Sequence, residues 1–107
     1  MKIEHIAIYT TDLERECAFF EQYFGAKRGA RLELMTRAEC VNTARERFVT
    51  GFAHIAISVG SKEKVAEITK LLERDGFEIA SPPRTTGDGY FESVVCDFDG
   101  NFIEITV

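Results

Sequence analysis

Twice along this chain, a short run of alternating apolar and polar positions gives way to a longer stretch with apolar residues at helical spacing. His5-Ile6-Ala7-Ile8 is β-branched and alternating, and so predicts a strand; the same four residues return as His54-Ile55-Ala56-Ile57. After the first copy, Thr11 with Glu14 three positions on predicts a capping box. Phe19, Phe20, Tyr23 and Phe24 then form an apolar stripe, and Gly25 ends the helix as a C′ glycine. After the second copy, Ser61 is placed to cap a helix whose stripe is Val65, Ile68, Leu71 and Leu72 and whose end is Gly76. Both stripes predict core packing rather than a cofactor box.

The two copies also close alike. Gly29-Ala30-Arg31-Leu32-Glu33-Leu34 aligns with Gly100-Asn101-Phe102-Ile103-Glu104-Ile105, which sets a Glu four positions after a Gly each time. The pattern predicts an α+β chain built as one domain from two repeated modules. Their bounds are about 1–37 and about 52–107, with a connecting loop at about 38–51. The modules differ in length, since 28 positions separate His5 from Glu33 and 50 separate His54 from Glu104. In the second module the added interval holds Gly76 to Ala80, a Pro82-Pro83 break, the Gly87-Asp88-Gly89 turn and Tyr90 to Asp97, and reads as two strands. The first has only Gly25-Ala26-Lys27-Arg28 there, too little for two strands of ordinary length.

Strand side chains alternate between faces, so the pattern says which residues look the same way. His5 shares a face with Ile3, Ala7 and Tyr9, and His54 with Ala56 and Ser58. Glu33 goes with Arg31 and Met35, and Glu104 with Phe102 and Thr106. A lone strand His is commonly a satisfied core residue and a lone strand Glu a solvated one. Here the only two histidines fall at equivalent repeat positions, and so do the two glutamates. That makes His5, Glu33, His54 and Glu104 candidate ligands of one divalent metal ion. Imidazole nitrogen suits Zn, Ni, Co or Fe(II), and carboxylate oxygen suits harder ions such as Mn as well. Four protein ligands leave open positions for water or a bidentate substrate, as a catalytic metal requires.

Composition narrows the setting. The 107 residues, 45% hydrophobic and 29% charged, with nine Phe and three Tyr, suit one globular domain with a working core. A net charge of −5 and scattered basic residues exclude the basic face that nucleic acid needs. The nearest basic grouping, Arg37 with Arg45 and Arg47, reads as a solvated loop. No apolar run is long enough to cross a membrane, and Met1-Lys2 leads straight into a strand pattern, so no secretory signal is expected. Cys17, Cys40 and Cys96 form neither a disulfide framework nor a thiolate zinc motif, and read as small buried hydrophobes or loop thiols of a cytoplasmic protein.

The repeat, the two His-Ile-Ala-Ile openings, Thr10-Thr11-Asp12-Leu13-Glu14 and the ending Asp97-Phe98-Asp99-Gly100-Asn101-Phe102-Ile103-Glu104-Ile105 resemble the glyoxalase, bleomycin-resistance and extradiol-dioxygenase superfamily, the vicinal oxygen chelate proteins. Gly87-Asp88-Gly89-Tyr90-Phe91-Glu92-Ser93 is similar to a segment of its small bacterial glyoxalase-like members. The resemblance covers nearly the whole chain and implies two βαβββ modules curled into a cup-shaped sheet around one metal. It places the ligands at the same four residues. It also implies two further strands between Lys27 and Gly29, which this sequence lacks.

What the resemblance implies first is a lactoylglutathione-lyase-like enzyme. Its metal would hold two adjacent oxygens of a small substrate while a carboxylate, Glu104 or else Glu33, moves a proton through an enediolate. Proton transfer like that of methylmalonyl-CoA epimerase would use similar chemistry. The alternatives are an Fe(II) extradiol-type dioxygenase, whose two-His-one-carboxylate triad leaves the second Glu without a role, and a ligand-sequestering resistance protein. Arg31, Arg84, Thr86 and Tyr90 are candidate substrate contacts, and a homodimer is the expected assembly.

Overall fold

A computed structural model of the chain describes residues 5–25, 31–43 and 50–107. Within them lie β1 (His5–Tyr9), α1 (Leu13–Phe24), β2 (Arg31–Met35), β3 (Ile55–Ser58), α2 (Lys62–Arg74), β4 (Ile79–Thr85), β5 (Phe91–Cys96) and β6 (Phe102–Thr106). This is a mixed α+β fold in two compact units, Met1–Thr43 and Ala44–Val107, each with its own sheet.

In the first unit β1 and β2 run parallel, with Ala7 opposite Glu33 and Tyr9 opposite Met35. The Thr10 N–H donates to the Met35 carbonyl and extends the ladder by one bond. The helix between them starts one residue later than the capping box predicts. Asp12, in extended backbone, is the N-cap, and its carboxylate accepts from the Arg15 N–H at 3.1 Å. The Asp12 N–H, which the side chain of a capping-box Glu would have taken, goes instead to the buried Thr10 hydroxyl at 3.1 Å. Asp12→Ala is therefore expected to cost about 1 kcal/mol and Thr11→Ala far less, by urea unfolding; equal losses would return the cap to Thr11.

Four rings knit the helix stripe, with Phe19 5.2 Å from Phe20, 5.4 Å from Tyr23 and 5.8 Å from Phe24. Glu16 lies buried in the same stripe, a polar member that the periodicity does not reveal. Gly25, at φ 56°, turns the chain out of the helix and donates to the Glu21 carbonyl. From there β2 is reached at Arg31. The corresponding interval of the second unit carries β4 and β5.

The second unit is a complete βαβββ module. Its sheet runs β3-β6-β5-β4, with β3 parallel to β6 and the other pairs antiparallel. Ser61 caps α2 by accepting from the Lys64 N–H. The helix ends in a Schellman motif, in which the Phe77 N–H donates to the Leu72 carbonyl and the Gly76 N–H to that of Glu73. Val65 and Leu72 of α2 and Ser93, Val95, Ile103 and Ile105 of the sheet are buried. Thr69 joins them where the predicted stripe has Ile68 and Leu71. Its hydroxyl lies 2.6 Å both from the Val65 carbonyl and from the Ser93 hydroxyl, so a polar pair is satisfied inside the core. Pro82 and Pro83 do not break the chain into loop but lie within β4, at the sheet edge where a missing N–H is tolerated, and the register shifts around them.

Candidate functional site

Both units place one imidazole beside one carboxylate by the same construction. Ala7 pairs with Glu33 and Ala56 with Glu104 across parallel ladders. A side chain two residues before either alanine points to the same face, next to that glutamate. His5 Nε2 lies 3.8 Å from Glu33 Oε2, and His54 Nε2 lies 3.3 Å from Glu104 Oε2. The repeat thus recurs as geometry. Each pair belongs to its own unit, and among the described residues no group of three or more His, Cys, Asp or Glu is close enough to hold a metal ion.

The pairs differ in what surrounds them. In the first unit Arg31 Nη2 lies 2.9 Å from Glu33 Oε1 and 3.1 Å from His5 Nδ1. The corresponding residue of the second unit is Phe102. There the added strands supply polar neighbours instead. β5 sets Val94 opposite Glu104, so Glu92 falls diagonally beside it on the same face. Arg84 on β4 holds Glu92 at 3.6 Å and donates to the Ser81 hydroxyl. Glu104 and Glu92 keep only 16% and 14% of their side chains exposed, against 39% for Glu33.

Burial pushes the Glu104 carboxyl above the ordinary carboxylate range. The negative charge of Glu92 and a hydrogen bond between the two carboxyls add to the rise, and His54 opposes it. With the folded-state pKa above the unfolded one, protonated Glu104 favours the folded chain. That contribution is complete below the unfolded pKa and is lost as pH rises through the folded value. Glu104→Gln, which stays neutral, should accordingly gain stability over the wild type as pH rises above the ordinary carboxylate range, measured by urea unfolding with a chelator present. A difference that did not change with pH would refute this.

The strand bearing Glu104 starts from a tight loop. The buried Asp97 carboxylate accepts from the N–H groups of Asp99 and Asn101 and from the Asn101 side-chain amide at 2.7 Å. Burial raises the Asp97 carboxyl, although those hydrogen bonds oppose the rise.

Of the predicted substrate contacts, Arg31 adjoins the first pair and Arg84 reaches the second through Glu92. Thr86 is engaged in the β4–β5 turn. Its N–H donates to the Tyr90 carbonyl, its hydroxyl accepts from the Tyr90 N–H, and the hydroxyl also donates to Asp88. The Tyr90 side chain is 60% exposed. The pattern alone does not single out Glu92. Its one signal is a lone acid on the Glu92–Val94–Cys96 face, which gains meaning only once β5 is registered on β6.

The sequence model of the glyoxalase/bleomycin resistance protein/dioxygenase superfamily matches residues 2–105. Among solved structures, a possible glyoxalase from Bacillus cereus is 25% identical, with a TM-score of 0.72 over 100% of this chain and 99% of that one. The genomically encoded fosfomycin resistance protein FosX of Listeria monocytogenes is 24% identical, with a TM-score of 0.74 over 99% of this chain and 92% of that one. Lactoylglutathione lyase of Agrobacterium tumefaciens is 21% identical, with a TM-score of 0.66 over 98% and 92%. No curated protein matches the chain.

Proposed function

We propose that this chain, which belongs to the glyoxalase/bleomycin resistance protein/dioxygenase superfamily, is a metal-dependent lyase or isomerase. It acts on a small substrate with two adjacent oxygens and moves a proton between the neighbouring carbons. The observation that carries this reading is the duplicated His–Glu pair, set by the same ladder register in both units. His5, Glu33, His54 and Glu104 would together hold one divalent ion, Zn, Ni, Co, Mn or Fe(II). The donor set fits, because two imidazoles and two carboxylates match such ions and a cation would offset the crowding of negative charge at Glu104 and Glu92. The ion would supply polarisation of the substrate oxygens.

The chain's own groups do the rest. Glu104 is suited to take the proton from one carbon and return it to the next, because burial and Glu92 bring its carboxyl closer to neutrality. Glu33, more exposed, is the second choice. Arg31 and Arg84 would receive anionic parts of the substrate, with Thr86 and Tyr90 at the β4–β5 turn. Among the described residues no helix is long and apolar enough to cross a membrane. The working form we propose is a cytoplasmic homodimer.

The test is to identify the metal in protein purified without added ions and to assay it. Bound nickel, cobalt or zinc with turnover of methylglyoxal and a thiol supports the reading. Oxygen uptake with catechols would replace it by ring-cleaving chemistry. Metal-free protein that binds drugs tightly would replace it by sequestration.

A further inference from the structure

We propose that Arg31 is a built-in competitor for the metal, holding His5 and Glu33 and having to withdraw before both can ligate a cation. The proposal rests on the reading of those two residues as ligands, and it follows from counting donors and lone pairs. Arg31 Nη2 sits 3.1 Å from His5 Nδ1, and a guanidinium can only donate. In that contact His5 Nδ1 can only be the acceptor, which leaves Nε2, 3.8 Å from Glu33 Oε2, as the nitrogen that carries the ring hydrogen. A neutral imidazole has one nitrogen lone pair, and Arg31 uses it. Ligation through Nδ1 would replace Arg31 directly. Ligation through Nε2 would move the hydrogen to Nδ1, where it opposes the guanidinium N–H. Either way the contact breaks.

Glu33 is held by the same group. Its Oε1 takes a charge-assisted bond from Arg31 at 2.9 Å, and a dication arriving there would meet a fixed positive charge. The second unit has Phe102 at the position of Arg31, so no guanidinium occupies that place beside His54 and Glu104. The two half-sites are therefore unequal by construction. A cation meets no guanidinium at the Phe102 position of the second, whereas at the first it can engage both residues only as Arg31 leaves.

The experiment titrates chelator-stripped protein with zinc by calorimetry, comparing the wild type with Arg31→Met, Arg31→Lys and Phe102→Arg. Arg31→Met should bind about ten-fold more tightly, Arg31→Lys should fall between, and Phe102→Arg should bind more weakly than the wild type. A long-range proton–nitrogen spectrum of the stripped wild type should show His5 with its hydrogen on Nε2. Equal or weaker binding by Arg31→Met, or a hydrogen on Nδ1, overturns the proposal while leaving the ligand assignment intact. Glu33→Ala and His54→Ala serve as the separate control. If neither lowers zinc affinity, the four-ligand reading fails and this proposal falls with it.

Discussion

If the four residues hold one catalytic ion as proposed, Glu104→Ala should strip most of the metal and lower turnover by about 10²–10⁴-fold, the range removed with a positioned general base. The effect should exceed that of Glu33→Ala, because the two carboxylates are not equivalent in the fold even though they are equivalent in the repeat. Glu104 lies on a four-stranded sheet, is largely shielded, and has its proton affinity raised by burial and by Glu92. Glu33 lies on a two-stranded sheet, is more open to water, and is neutralised by Arg31. Metal content and kcat of the two variants, with circular dichroism to confirm folding, decide the matter. If Glu104→Ala and His5→Ala both kept their metal, one ion held by four ligands would no longer be tenable.

Phe19→Ala should destabilise the protein by about 3–5 kcal/mol, a large part of the roughly 5–15 kcal/mol that holds an ordinary domain together. Phe19 is 1% exposed and its ring contacts those of Phe20, Tyr23 and Phe24, so truncation empties the middle of the α1 stripe. Beyond the lost burial, each aromatic pair contributes about 0.5–1.5 kcal/mol. α1 packs on β2, the strand that carries Glu33, so slackening of the helix should also loosen the first pair. Denaturant midpoints measure the effect, with Tyr90→Ala as comparison. That ring is mostly in water, and its loss should stay within about 0.5 kcal/mol. A similar midpoint for both variants would show that the ring cluster is not a core.

The duplicated pair was legible because the strand period is two: once His-Ile-Ala-Ile and the Gly-to-Glu spacing recur, the facing of His5, Glu33, His54 and Glu104 within their strands is determined. The shortness of the first unit was legible too: among the described residues it has two strands where the second has four, as the shorter interval indicates. Features that depend on three-dimensional neighbours were not. Asp12 rather than Thr11 caps α1 because the Thr10 hydroxyl is buried beneath the turn and takes the Asp12 N–H. Thr69 can enter the core only because Ser93 faces it from a strand far along the chain. Pro82 and Pro83 stay in β4 because that strand is an edge. Glu92 becomes a partner of Glu104 only through the β5–β6 register. Arg31 was visible as a neighbour of Glu33, but its contact with His5 Nδ1 was not.

The ladder that sets His54 against Glu104 joins the two ends of the second unit, whereas β4, β5 and β6 each pair with a strand next along the chain. Closing the longer loop costs more chain entropy, so in refolding the three-stranded meander should assemble under α2 before β3 arrives. The second half-site would then be completed by the last strand to dock. Amide exchange should find β3 opening more readily than β5, and stopped-flow refolding with cobalt present should show colour developing with the slowest phase. If His54 and Glu104 are ligands as proposed, the rate of metal capture would be set by the arrival of a four-residue strand rather than by encounter with the ion.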